Sequence, residues 1–231
     1  MPKSSSADGE PSAQRRPVNL LDFIQANTKP LVPPLVPEIV LHLAEESLPI
    51  WQKTEEELGE MNVPPPFWAF AWAGGQALAR YVLDHPELAR GRAVIDLGCG
   101  SGLAGIAAAI AGASDVLAAD VDAFAVAAAA INAEANHVRL RVTGEDLLAG
   151  PPPPAGLVLV ADMFYEKPMS ERVLAFAAAA AANGADVLVG DPQRSYFPAE
   201  RFEQMAAYAV PVTRELEDAE IKKTAVWRFR I

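Results

Sequence analysis

From residue 93 onward the chain alternates between short, apolar runs and longer alanine-rich stretches. Ala93-Val94-Ile95-Asp96-Leu97, Asp115-Val116-Leu117-Ala118-Ala119 and Leu157-Val158-Leu159-Val160-Ala161 are each closed by Gly or Asp, the mark of buried strands. Residues 138–142 and 186–190 complete a set of five such runs. The stretches 103–111, 123–135 and 169–182 are rich in the best helix former and read as helices, the last capped by Asn183-Gly184. Alternation of this kind predicts a parallel sheet with helices on both faces, since a strand apolar on both sides must be covered on both.

The flanking segments carry other patterns. Residues 20–27 suit a short amphipathic helix that Asn27-Thr28-Lys29-Pro30 breaks, and Pro33, Pro34 and Pro37 mark an extended connection. In 38–44, Ile39 and Val40 favour a strand and the residues after them a helix; 51–61 is acidic and reads as loop or helix. Trp72-Ala73-Gly74-Gly75-Gln76 leads into a helix over 77–84. Pro151 to Pro154 is a rigid, extended loop. Pro198 opens a further helix to about residue 208. Residues 210–216 and 224–231 alternate in polarity and read as a terminal antiparallel pair. Residues 1–18 form a Ser-, Pro- and charge-rich disordered tail; 19–231 is a single domain, with 19–90 as N-terminal extension and cap and 91–231 as core.

At 231 residues and 51% hydrophobic the chain is long and apolar enough for one sizeable core. Its net charge of −11 argues against a general nucleic-acid binder and leaves a neutral or lysine-bearing partner. No apolar run reaches membrane-spanning length. The single cysteine, Cys99, and the scattered His42, His85 and His137 form no metal-ligand pattern. The first residues lack an apolar signal core, and Asp8 and Glu10 speak against a mitochondrial presequence, so the expected location is the cytoplasm.

Candidate chemistry concentrates where the strands end. The first strand runs into Asp96-Leu97-Gly98-Cys99-Gly100-Ser101-Gly102, glycines that permit a tight turn and close approach of a ligand. A dinucleotide fingerprint needs a third glycine where Leu103 stands, and an acid before the loop is poor company for a pyrophosphate. A ligand with an amine and a ribose but no phosphate fits, and S-adenosyl-L-methionine (SAM) is one. The loop resembles motif I of the class I SAM-dependent methyltransferases. Asp120, at the tip of the second strand, is placed to accept from a ribose diol. Asp146, after the third strand, is placed to accept from the adenine amine with Leu147 against the ring; a solvated turn acid is the competing reading. Trp72 and Gly74 lie over the methionine end of the cofactor or else form a core helix entry. The fourth strand ends in Asp162-Met163-Phe164-Tyr165, facing the ligand crevice. Asp162 can hold and orient an incoming lysine ammonium, with Tyr165 and Phe164 as channel wall; a helix N-cap is the alternative for Asp162. Met163-Phe164 breaks the Pro-Pro pattern that would stack a nucleic-acid base.

Taken together, the segments 72–78, Tyr81-Val82-Leu83-Asp84, Asp120-Val121-Asp122, Asp162-Met163-Phe164-Tyr165, Gly190-Asp191-Pro192 and Ala225-Val226-Trp227 resemble the electron-transfer-flavoprotein β-subunit lysine methyltransferases. These belong to the seven-β-strand protein lysine methyltransferases. The resemblance implies a Rossmann-like class I fold, six parallel strands and one inserted antiparallel, and SAM-dependent N-methylation of lysines on the flavoprotein β-subunit. It implies that Asp96, Gly98, Gly100, Asp120 and Asp146 bind the cofactor and that Asp162 and Tyr165 face the lysine. Ribosomal-protein lysines, a small-molecule amine, and a non-catalytic SAM-binding role are the alternatives; no nucleic-acid or membrane partner is implied.

Overall fold

The computed structural model describes residues 19–45, 65–213 and 220–230. The expected tail and the acidic stretch 51–61 lie outside the described residues, as does part of 210–216. In chain order come α1 (Leu20–Asn27), β1 (Lys29–Leu31), β2 (Leu41–Leu43), α2 (Ala73–Asp84), β3 (Ala93–Leu97) and α3 (Leu103–Ile110). Then follow β4 (Asp115–Ala119), α4 (Ala123–Ala135), β5 (Arg141–Thr143), β6 (Leu157–Ala161), α5 (Lys167–Ala182), β7 (Asp186–Asp191), β8 (Phe202–Pro211) and β9 (Ile221–Phe229).

The continuously apolar runs are the central strands. One seven-stranded sheet has the order β5-β4-β3-β6-β7-β9-β8. Neighbours from β5 to β7 pair in parallel, whereas β9 is antiparallel to both β7 and β8. Strand residues alternate between two cores. Val94, Leu157, Leu159 and Leu188 pack with Leu78 of α2 and Ile106 of α3. Ile95, Val158, Val160 and Val189 pack with Val173, Phe176 and Ala177 of α5. Both faces are therefore dry, and the carboxyl ends of β3, β4 and β6 open together at one edge of the molecule, where parallel α/β sheets hold their ligands.

Residues 19–45 are built into this body. Ile24 of α1 shares a core with Trp68, Phe124 and Ala128, while Val36, Ile39 and Leu41 join the core of α2 and α3. The ambiguous segment 38–44 resolves as strand β2, paired with β1 in a two-stranded sheet.

Three expectations about boundaries change. The helix expected from residue 77 begins at Ala73, and the strand expected over 138–142 is confined to Arg141–Thr143. The helix expected from Pro198 to about 208 is a single turn, Ala199–Arg201, followed by the strand β8. Glu, Gln, Met and Ala in this stretch favour helix, but its ladder with β9 from Phe202↔Phe229 to Pro211↔Ile221 overrides the weak local preference.

α2 crosses the end of β7 at a distance that only two glycines allow. A Cβ on Gly190 would stand 2.1 Å from the Gly74 carbonyl oxygen and 2.8 Å from Leu78 Cβ. Gly190→Ala is expected to destabilise the protein by about 3 kcal/mol, measured by urea denaturation. Gly150→Ala, where a Cβ meets nothing within 4 Å, should stay within about 0.5 kcal/mol of the parent.

Candidate active site

β3 ends on a loop whose glycines Gly98, Gly100 and Gly102 all adopt positive φ (64°, 50° and 81°), a conformation that Cβ-bearing residues resist. The loop is tied down on three sides. Gly100 N donates to Asp120 Oδ2 (2.9 Å), Gly102 N donates to the Cys99 carbonyl (2.7 Å), and Asn132 Nδ2 donates to the Ser101 carbonyl (2.8 Å). Asp120 also accepts from Asp122 N at 3.0 Å, so the tip of β4 and the glycine loop are one rigid unit. Asp122 in turn caps α4 through Phe124 N (2.9 Å).

Beside this unit lies a cleft of about 420 Å³, a size usual for a small-molecule site. Gly98, Gly100, Asp120 and Asp122 line one end, and Leu147 and Asp146 the side wall. Trp72, Asp162, Tyr165 and Arg194 line the other end. At the mouth Phe67 and Tyr165 face each other with ring centroids 6.2 Å apart, both substantially exposed.

Seven of the nine residues singled out from the sequence line this cleft: Trp72, Gly98, Gly100, Asp120, Asp146, Asp162 and Tyr165. The other two stand behind its wall. Asp96 is buried beneath α3, its Oδ2 accepting from Gly105 N at 2.8 Å. Burial pushes its carboxyl up to about 7 against that hydrogen bond, with the Asp120 charge adding to the rise. Gly74 is buried where α2 meets β7, and a Cβ there would stand 2.2 Å from the Gly190 carbonyl oxygen and 2.5 Å from Asp162 Oδ2. Its role is to let α2 close on the site.

Asp162 is no helix cap. It follows β6 at φ 57°, with its N–H donated to the Gly190 carbonyl at 3.0 Å. Asp tolerates this left-handed region better than most residues, and backbone strain of this kind gathers at functional sites. Its Oδ2 accepts from Gly75 N (2.9 Å), and its Oδ1 accepts from Nε and Nη2 of Arg194 (3.0 and 2.6 Å). The carboxylate reaches the cleft already bound on both oxygens. Asp146 is engaged as well: Oδ1 accepts from Leu148 N and Oδ2 from Arg172 Nη2 (3.1 and 2.6 Å). Tyr165 is half-buried, and desolvation, aided by Glu166 and Asp120, raises its phenol above the ordinary range.

Reasoning from the sequence did not assign Arg194 or Arg172 to the site. Arg194 sits just past the tip of β7, beside the crevice, and that position was the available signal. Arg172 lies a turn inside α5, and nothing in its neighbours distinguishes it from a solvated helix residue.

An electron transfer flavoprotein beta subunit lysine methyltransferase from Xenopus laevis is 35% identical over 215 residues, spanning 90% of this chain and 85% of that protein. The Homo sapiens protein of the same name is 31% identical over 202 residues, spanning 85% and 76%. The chain belongs to the electron transfer flavoprotein beta subunit lysine methyltransferase family. The family described as ribosomal protein L11 methyltransferase (PrmA) matches residues 76–159. Among solved structures, magnesium protoporphyrin IX methyltransferase of Synechocystis PCC 6803 with bound SAM superposes with a TM-score of 0.51 at 17% identity, covering 68% of this chain and 78% of that one. The fold is thus that of the class I methyltransferases, and the bound molecule of that structure is SAM, the cofactor expected from the glycine loop. The cleft fits it: at Gly100, on the cleft wall, a Cβ would have its nearest neighbour 3.9 Å away, so the bare glycine leaves that space to a ligand. The acid beside that loop, Asp120, held by backbone N–H groups, suits a ribose or a cation and not a phosphate.

The buried acid of β3 makes stability depend on pH in a definite direction. Because the folded state holds the Asp96 proton up to about 7 and the unfolded state releases it near 4, the acid's contribution falls as pH rises through that interval. Asp96→Asn is therefore expected to gain stability relative to the parent from pH 4 to pH 8, read as a growing difference in urea midpoint.

Proposed function

We propose that the protein methylates lysine side chains on the β-subunit of the electron transfer flavoprotein. The carrying observation is a cleft lined by both the glycine loop and Asp162, with Phe67 and Tyr165 in ring contact at its exposed rim. Relatives that match this chain over most of its length carry this substrate in their names.

When bound, SAM supplies a methyl group made electrophilic by its sulfonium. The chain's own residues do the rest by placement. Asp120, held by two backbone N–H groups, accepts from the ribose, and Gly100 leaves room for the ligand. Leu147 lies along the side wall and offers an apolar surface to the adenine. Asp162 and Tyr165 meet the acceptor amine at the other end, Trp72 closing that end from α2. Most of the rate gain expected of such a site comes from positioning and fixed charges.

Ribosomal protein as substrate is the weaker reading. A ribosomal protein L11 methyltransferase from Bordetella bronchiseptica is 32% identical over 199 residues, but the match spans only 54% of that protein, against 85% of the Xenopus laevis flavoprotein methyltransferase.

Labelled-methyl transfer into purified electron transfer flavoprotein, mapped by mass spectrometry, tests the proposal. Label on β-subunit lysines is the expected result; label on ribosomal protein alone overturns it. Asp162→Asn, which keeps an αL-tolerant residue and an acceptor for Gly75 N, should lower kcat by about 100-fold or more with SAM affinity within about twofold. Asp120→Ala removes the acceptor at the tip of β4 and should weaken SAM binding by about 10- to 100-fold in calorimetry.

A further inference from the structure

The acid at the acceptor end carries a permanent companion. Arg194 reaches across to Asp162 with two N–H groups (3.0 and 2.6 Å), and the exposure of the two side chains is only 18% and 10%. The guanidinium carbon also lies 5.5 Å from the centroid of the Trp72 ring. Trp72 is itself fixed, donating Nε1–H to the Phe67 carbonyl at 2.8 Å.

Arg194 is anchored from behind too. Its backbone N–H donates to Asp191 Oδ1 at 2.7 Å across a turn in which Gln193 takes φ 63°. Asp191 is wholly buried at the tip of β7, and its carbonyl accepts from Trp227 Nε1 at 3.3 Å. A side chain meant to swing aside would not be clamped at backbone, carboxylate and ring together.

We propose that Arg194 is a fixed counter-charge that cancels Asp162 and makes the acceptor end receive a neutral amine in place of an ammonium. The inference rests on the amine-methylation reading. An amine near 10.4 carries a proton at neutral pH and has no lone pair to offer. A bare carboxylate beside it would hold that proton on; a carboxylate already carrying a guanidinium does not, and the neighbouring cation disfavours a second one. Arg194 keeps its charge throughout the working range. The amine's proton goes to solvent as the amine enters.

Among the described residues, Tyr165 and Glu166 follow Asp162 on the same loop, and Asp191 lies behind Arg194, its Oδ1 accepting from the Arg194 backbone N–H. Burial pushes the Asp191 carboxyl up to about 7, so it ionises at the lower edge of the range tested, a change that parent and variants share and that their comparison removes. Asp120 and Asp122 sit at the glycine-loop end, and Asp146 is paired with Arg172 on the side wall, with Glu145 beside it. Trp72 and Gly75 of the α2 entry bring no charge.

The test titrates the protein, loaded with S-adenosylhomocysteine, with n-butylamine between pH 7 and pH 9, following the indole N–H resonance of Trp72. For the parent, apparent affinity for total amine should climb about tenfold per pH unit, tracking the neutral fraction. Arg194→Met should bind with less than about a threefold change over the same range, because Asp162 then takes the ammonium. Arg194→Gln serves as a second neutral variant should the first misfold, and Arg194→Lys should restore the climb. A flat parent, a climb in the neutral variants as steep as the parent's, or no response of Trp72 at any pH overturns the inference. Flavoprotein methylation run alongside separates the two claims: butylamine binding as described with no label on the flavoprotein leaves the counter-charge standing and removes only the substrate assignment.

Discussion

The site depends on a contact between two backbones. Gly74 at the start of α2 and Gly190 at the end of β7 face each other so closely that a Cβ on either would meet the other's carbonyl oxygen at 2.2 or 2.1 Å. That approach brings Gly75 N within 2.9 Å of Asp162 Oδ2, while the Gly190 carbonyl accepts from Asp162 N at 3.0 Å. The left-handed backbone of Asp162 is thus held from both sides, and its strain of ~1–3 kcal/mol is supported by packing that surrounds it. Phe164, wholly buried against Phe197 and Phe202 in edge-on contacts at 5.2 and 6.0 Å, secures the same loop from the other face of the sheet.

The N-terminal extension reaches the cofactor end by polar means. Asn132 of α4 is fully buried, accepts from His42 N (2.7 Å) and donates to the Ser101 carbonyl (2.8 Å) in the glycine loop. Asn136, one turn later, pairs with both backbone groups of Val40 (2.8 and 2.6 Å). Buried polar groups are expensive unless satisfied, so these amides fix where β2 sits relative to the loop. The extension serves as a wall that holds the cofactor loop in shape.

Much of this was legible in the chain itself. Runs such as 157–161 admit only a strand buried on both faces, and the acids closing them mark the strand ends where a ligand sits. Local chemistry was misleading where a long-range partner decides the outcome. The segment 202–211 is helical in composition but has β9 beside it, and no local pattern contains β9. Asp96 reads as a ligand acid because it precedes the glycine loop, yet its side chain points under α3 to Gly105 N, a choice of face that strand alternation fixes only once the register is known. Arg194 stood at a strand tip, but its pairing was not legible there, because its partner lies 32 residues away.

Comparing the acids of the cleft gives its electrostatic sense. Asp146 is answered by Arg172, and Asp162 by Arg194, each at 2.6 Å. The hydrogen-bond donors that reach Asp120 are the backbone N–H groups of Gly100 and Asp122, which orient the carboxylate without cancelling its charge. In a chain of net charge −11, Asp162 and Asp146 each face a guanidinium, while Asp120 is met by backbone N–H groups. An uncharged nucleophile is tolerated beside the Asp162–Arg194 pair, since desolvating a neutral amine costs far less than desolvating an ammonium. The charge of Asp120 still reaches the Tyr165 phenol, so the two arginines weaken the cleft's negative potential beside their own acids without confining it to one end.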